Sequence, residues 1–164
     1  LGRTLMFPKD TTTKLILLAT GTGIAPFRGF INHIFNDLKS WDGEIDFYFG
    51  GKKEKEALYM NDINSQLSNL QNDKIKLNYH FAFSREMKNK DNGRMYIQHK
   101  IEENIQSLWR DIQENNFSLY ICGLKGIEEG IDEVISKYAS TQGKDWVEMK
   151  KVIKKEKRWN VEVY

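Results

Sequence analysis

The stretch Lys14-Leu15-Ile16-Leu17-Leu18-Ala19-Thr20-Gly21-Thr22-Gly23-Ile24-Ala25-Pro26 decides the fold. From Lys14 to Ala19 the residues are almost continuously apolar, bounded by threonines and a glycine loop, which is the pattern of a strand buried on both faces. The two glycines let backbone approach a ligand closely, and Pro26 suits the first turn of a following helix. Free amides at that helix start, together with the helix dipole, favour a pyrophosphate. A bare Gly-x-Gly equally fits a tight strand-to-helix turn with no ligand. Because Pro26 stands where the last glycine of Gly-x-Gly-x-x-Gly would be, an ordinary Rossmann dehydrogenase is disfavoured.

Outward from this stretch, further strand-like runs stand at 45–49, 75–81 and 118–122, with a short last strand at 161–164. Helical periodicity marks Pro26 to Lys39, Tyr59 to Leu70, Met95 to Ile112, Ile127 to Tyr138 and Trp146 to Lys157. Alternation of this kind predicts an α/β fold, a Rossmann-like three-layer α/β/α domain with a mainly parallel five-stranded sheet. Ligands are then expected at the carboxyl ends of the strands. Lys52 to Lys55 and Glu86 to Gly93 read as surface loops.

A chain of 164 residues suits one domain. With 25 basic against 23 acidic side chains, no obligate nucleic-acid partner is implied. The basic residues crowd the C-terminal end, so electrostatic recognition is expected to be local. Cys122 has no cysteine companion for a disulfide or a metal site, and a reducing compartment is expected. No apolar run approaches the roughly 20 residues of a membrane span, and no leader pattern opens the chain. The protein is expected to be soluble. Since it begins at Leu1, it is expected to be processed or cut from something longer.

Three further elements carry chemistry. Ser84 and Arg85 end the third strand, and Arg94, Tyr96 and Gln98 follow a polar loop. Two guanidiniums with a hydroxyl and a phenol can receive a phosphate dianion beside a flat base, as in the adenosine 2′-phosphate of NADP. NAD would instead call for an acidic residue on free ribose hydroxyls, and Glu86 keeps that open; a plain polar strand end is the simplest alternative. Cys122 by itself reads as a small core hydrophobe. Lys150, Lys151, Lys154, Lys155, Lys157 and Arg158 share a segment with Trp146, Val147, Val152 and Ile153; on an amphipathic helix the apolar set is expected to face the sheet and the charges to stay in water.

With the glycine loop, Cys122-Gly123-Leu124-Lys125-Gly126 and the ending Val161-Glu162-Val163-Tyr164, the chain from about Leu5 to Tyr164 resembles the nicotinamide-binding half of plant-type ferredoxin–NADP reductase. The resemblance implies residues 1–13 as the end of an interdomain linker and 14–164 as the NADP-binding domain. An N-terminal barrel holding FAD would be absent from this chain, since no Arg-x-Tyr-Ser motif is recognisable; the nearest string is Arg94-Met95-Tyr96-Ile97. It implies Thr22, Gly23, Ser84, Arg85, Arg94, Tyr96, Gln98, Gly123 and Leu124 as cofactor-binding residues. Cys122, Glu162 and Tyr164 would stand at the reacting rings, Glu162 and Tyr164 also touching cofactor and Tyr164 stacking on the flavin as a gate. A lysine is common in the family where Arg94 stands. The implied activity moves electrons between ferredoxin and NADP(H) through FAD, in a plastid, with the basic helix steering acidic ferredoxin. Another flavoprotein or diflavin reductase module, which commonly ends in tryptophan, and a non-catalytic NADP-binding domain are the alternatives.

Overall fold

Leu15, Ile16, Leu17, Leu18 and Ala19 are each at most 1 % exposed, so β1 (Lys14–Thr20) is buried on both faces as its apolar run predicts. The computed structural model describes residues 8–21, 40–54 and 75–163. Beside β1 lie β2 (Glu44–Gly51) and, beyond it, β3 (Lys76–Phe83). On the other side of β1 follow β4 (Phe117–Gly123) and β5 (Trp159–Val163). Among the described residues the sheet has five strands in the order β3-β2-β1-β4-β5, and every pairing is parallel. The expected sheet is therefore present, wholly rather than mainly parallel. Its last strand begins at Trp159, two residues before the expected start.

Alternation in β1 divides the core. Leu15, Leu17 and Ala19 join Phe47, Phe49, Tyr120 and Cys122 on one face. Ile16 and Leu18 join Leu119 and Ile121 on the opposite face, with the helices packed over them. These helices are α1 (Ile97–Glu103), α2 (Ile105–Glu114), α3 (Ile127–Thr141) and α4 (Trp146–Lys155). Each contributes apolar residues to this face, such as Leu108, Trp109 and Ile112 in α2 and Ile131, Ile135 and Ala139 in α3, at the spacing of a helix turn. The helix candidates Pro26 to Lys39 and Tyr59 to Leu70 lie outside the described residues.

Two expectations are corrected here. The single helix expected from Met95 to Ile112 is two helices, broken at Asn104 (φ −107, ψ 17). The Asn104 side-chain amide donates to the Lys100 carbonyl at 3.2 Å, which competes with continuation of the backbone ladder. The second correction concerns α4. Trp146 and Ile153 are buried, but Val147 and Val152 are more than half exposed, so the apolar set does not all face the sheet. Lys150 does not stay in water either. Its Nζ meets Asp132 at 2.6 Å and Glu128 at 2.9 Å and lies 4.9 Å from the centre of the Trp159 ring. Trp159 Nε1 donates to Glu128 and Trp146 Nε1 to Asp132. This lysine ties α3, α4 and β5 together.

A second polar cluster fastens the amino end of the sheet. Lys14 Nζ bridges Asp46 at 3.0 Å and Asp111 at 2.8 Å, all three side chains being largely buried. Asn78 donates to Asp46 at 2.9 Å, and His80, stacked on Tyr48, stands 3.7 Å from the same carboxylate. Burial alone would push the Asp46 carboxyl up, but His80, Asn78 and Lys14 together outweigh it and hold the group down at about 2.

Candidate functional site

The chain runs outward from β1 through β2 to β3, then returns to the other side of β1 for β4. Strand order thus reverses between β1 and β4, where open parallel sheets bind ligands at their carboxyl edge. At that point Gly123 is forced to be glycine. Its φ is +155, and an added Cβ would collide with Thr20 Oγ1 and stand 3.0 Å from the Thr20 carbonyl oxygen. The close approach lets the Leu124 amide donate to Thr20 Oγ1 at 3.4 Å. Gly50, at the end of β2, is also closely packed, because a Cβ there would come within 3.2 Å of Ile97 Cβ.

Across the carboxyl ends of β1, β2 and β3 opens a cavity of about 480 Å³, a size within the range of about 300 to 1,000 Å³ usual for small-ligand sites. It is lined by Thr20, Gly21, Gly50, Gly51 and Lys52, by Ala82, Ser84 and Arg85, by Arg94, Tyr96, Ile97 and Gln98, and by Leu124 and Ile127. Ser84, Arg85, Arg94, Tyr96, Gln98 and Leu124 are thus brought together from separate places in the chain.

Local structure explains the placement. The Ser84 amide donates to the Gly51 carbonyl and the Arg85 amide to the Lys52 carbonyl, both at 2.9 Å, so the β2–β3 pairing is extended past the last residue of β3. Ser84 is buried, whereas Arg85, Arg94 and Tyr96 are exposed, Tyr96 to 44 %. The ring and the two guanidiniums are therefore open to a ligand. Glu86 is turned elsewhere: its carboxylate accepts from the Glu54 amide at 3.2 Å, and it does not line the cavity.

The remaining expected residues fall in a second place or outside the description. Cys122 and Glu162 are register partners on β4 and β5. Cys122 is fully buried, and burial, reinforced by the Glu162 charge, pushes its thiol up to about 11. A protonated thiol at neutral pH is not a nucleophile. Glu162 Oε2 is buried without a hydrogen-bond partner among the described residues. Neither residue lines the 480 Å³ cavity. Thr22, Gly23 and Tyr164 lie outside the described residues.

Sequence reasoning missed Lys52, which lines the cavity although 52–55 reads as a surface loop. The available signal was position: it follows Gly50-Gly51 at the carboxyl end of a buried strand. Ile97 and Ile127 were missed because apolar helix starts carry no chemical signature.

Comparison with known proteins agrees with this geometry. Residues 17–133 match the family described as oxidoreductase NAD-binding domain. The chain is 40 % identical to ferredoxin–NADP reductase of Synechocystis sp., over 99 % of this chain and 40 % of that protein. It is 38 % identical to the chloroplastic leaf isozyme 1 of ferredoxin–NADP reductase from Arabidopsis thaliana, over 99 % of this chain and 45 % of the relative. Against ferredoxin–NADP reductase of Spirulina sp. identity is 40 %, covering 99 % of the chain and 55 % of that relative. The chain thus spans about half the length of the curated relatives it matches. A wholly parallel sheet, a cavity at the carboxyl ends of its strands, and a match over residues 17–133 agree: the chain belongs to the oxidoreductase NAD-binding domain family.

Proposed function

We propose that this chain is the NADP(H)-binding part of a ferredoxin–NADP reductase, with residues 14–164 as that domain, residues 1–13 as the end of a linker, and FAD held mainly by a part of the protein outside this sequence. One observation carries the cofactor preference: Ser84, Arg85, Arg94 and Tyr96 converge on one cavity, while Glu86, the acidic group suited to free ribose hydroxyls, is held by the Glu54 amide. A 2′-phosphate fits this set of donors, with Arg85 and Arg94 offering paired N–H groups and Ser84 a hydroxyl. The exposed Tyr96 ring offers a face for adenine. Gln98, Gly123 and Leu124, with Thr22 and Gly23 of the glycine loop, complete the proposed cofactor contacts.

With the adenosine end held in this cavity, the nicotinamide would supply the hydride chemistry at the second place, near Cys122 and Glu162. Cys122 and Glu162 would flank the reacting rings, the neutral thiol filling space and the carboxylate adding local charge. Tyr164 would cover the flavin face until the nicotinamide displaces it, so that Tyr164→Ser in the complete flavoenzyme tightens oxidised-cofactor binding and slows turnover. Ferredoxin is the proposed partner, supported by relatives that are ferredoxin–NADP reductases, and a plastid the proposed location, supported by those among them that are chloroplastic. Among the described residues no helix is long and apolar enough to cross a membrane.

Calorimetric titration with adenosine 2′,5′-bisphosphate and with AMP tests the proposal. Loss of charge-assisted bonds worth about 1.5 to 3 kcal/mol predicts roughly ten-fold or more weaker binding of AMP. Equal affinities would remove the basis for an NADP site.

A further inference from the structure

Arg94 and Tyr96 enter the cavity from a short strap between β3 and α1, and that strap is fastened at both ends by side chains that do not line the cavity. Asn89 Oδ1 accepts the amides of Asp91 at 2.8 Å and Gly93 at 3.1 Å, while its Nδ2 donates to the Arg94 carbonyl at 3.0 Å. His99 Nδ1 accepts the Tyr96 amide at 2.9 Å. The two fastening groups also meet, Asn89 Nδ2 standing 3.4 Å from His99 Nε2. Two amides at Asn89 Oδ1 fix which way this side chain points. With Nδ1 as acceptor, the neutral ring carries its hydrogen on Nε2, so the approach of the two side chains is a packing contact rather than a hydrogen bond.

Between these points the strap has no slack. Met95 is 3 % exposed and its amide donates to the Met87 carbonyl at 3.2 Å, with Lys88 and Arg94 bridged as antiparallel partners. The turn itself already closes through the Asn89 amide on the Gly93 carbonyl at 2.9 Å and the left-handed Asn92, φ 64. The bonds to the Arg94 carbonyl and the Tyr96 amide are additional to that closure. They fall on the two residues of the strap whose side chains are exposed toward a ligand.

We infer that Asn89 and His99 are positioning residues for cofactor discrimination: they hold the Arg94 guanidinium and the Tyr96 ring at one separation, so that both meet a nucleotide carrying a 2′-phosphate. The inference rests on the NADP reading of the cavity. Its physical ground is that paired guanidinium–phosphate bonds depend steeply on placement, and Arg94 and Tyr96, being exposed, receive their placement from the backbone that carries them. AMP, lacking the 2′-phosphate, makes little demand on Arg94 and so reports on the rest of the site.

The test compares Asn89→Ala, His99→Ala and His99→Gln with the unaltered 164-residue chain. Affinities for adenosine 2′,5′-bisphosphate and for AMP are measured by calorimetry, with thermal melts alongside. Both alanine variants should lower the ratio of the two affinities by about five-fold or more, because a charge-assisted bond is misplaced; Asn89→Ala should leave AMP binding within about two-fold, whereas His99→Ala, which loosens the Tyr96 ring that adenine also meets, should weaken AMP less than it weakens the bisphosphate. Glutamine at this helix position returns an acceptor for the preceding amide, as in a capping box, so His99→Gln should restore the ratio. Alanine variants that keep the original ratio would overturn the inference. So would a parallel loss of both ligands with a lowered melting temperature, or a His99→Gln variant no better than His99→Ala. Equal binding of both ligands by the unaltered chain would instead overturn the NADP reading and this inference with it.

Discussion

Gly21 follows β1 and Gly123 ends the neighbouring β4, yet alanine should act very differently at the two. At Gly21, φ +56, an added Cβ meets nothing within 4 Å among the described residues, so the cost expected from them is that of the left-handed backbone, about 1 to 2 kcal/mol. At Gly123, φ +155, the Cβ would collide with Thr20 Oγ1 and lie 3.0 Å from the Thr20 carbonyl oxygen and 3.1 Å from its amide nitrogen. Two of those three neighbours are backbone of β1, which is paired on both sides and cannot withdraw cheaply. Backbone strain of about 1 to 3 kcal/mol is therefore joined by overpacking of about 1 to 3 kcal/mol. Gly123→Ala should cost about 2 to 6 kcal/mol in all, lowering the melting temperature by about 2 to 4 °C for each. Urea denaturation of both variants at neutral pH measures the difference. Adding Thr20→Ala to Gly123→Ala should recover part of the loss, because it removes Oγ1 and leaves the backbone atoms in place. Equal destabilisation by the two alanines, or strict additivity with Thr20→Ala, would refute the contact reasoning.

Asp46 should give the domain an acid-sensitive component. Its folded value near 2 lies below the ordinary 3.8, so its contribution, about 2 kcal/mol, is complete above about pH 4 and lost as pH falls toward 2; a stability difference between the unaltered chain and Asp46→Asn that stays constant across this window would contradict it. Lys150→Met should destabilise by about 1 to 3 kcal/mol, since it leaves Glu128 and Asp132 facing each other without their cation. Denaturation followed by tryptophan fluorescence checks this, an unchanged midpoint counting against it. On the proposed reductase reading, charge reversal at the exposed Lys154 and Lys155 in the full-length protein should slow association with ferredoxin, the proposed partner, mainly at low salt. Stopped-flow rates against ionic strength decide, and an unchanged slope would mark these lysines as merely solvated.

What could be read from the sequence was what the chain encodes locally. The apolar run at Lys14 to Ala19, the glycine that follows and the repeated strand–helix alternation settled the sheet class, because a strand buried on both faces needs near-continuous apolar side chains whatever lies beside it. Ser84, Arg85, Arg94 and Tyr96 were legible as candidates because guanidinium, hydroxyl and phenol have a common chemistry with phosphate. Tertiary structure decided the rest. Only the order β3-β2-β1-β4-β5 brings Thr20 against Gly123 and gives that glycine a steric reason. Only packing of α3, α4 and β5 takes Lys150 out of a basic stripe and sets it between two carboxylates and an indole. Only the fold of the 89–99 segment turns Asn89 and His99, ordinary polar residues by composition, into the fastening of the strap. Each depends on partners whose distance in space bears no fixed relation to their distance in sequence. A side chain's type limits what it can bond to, and the packed chain determines which partner is within reach.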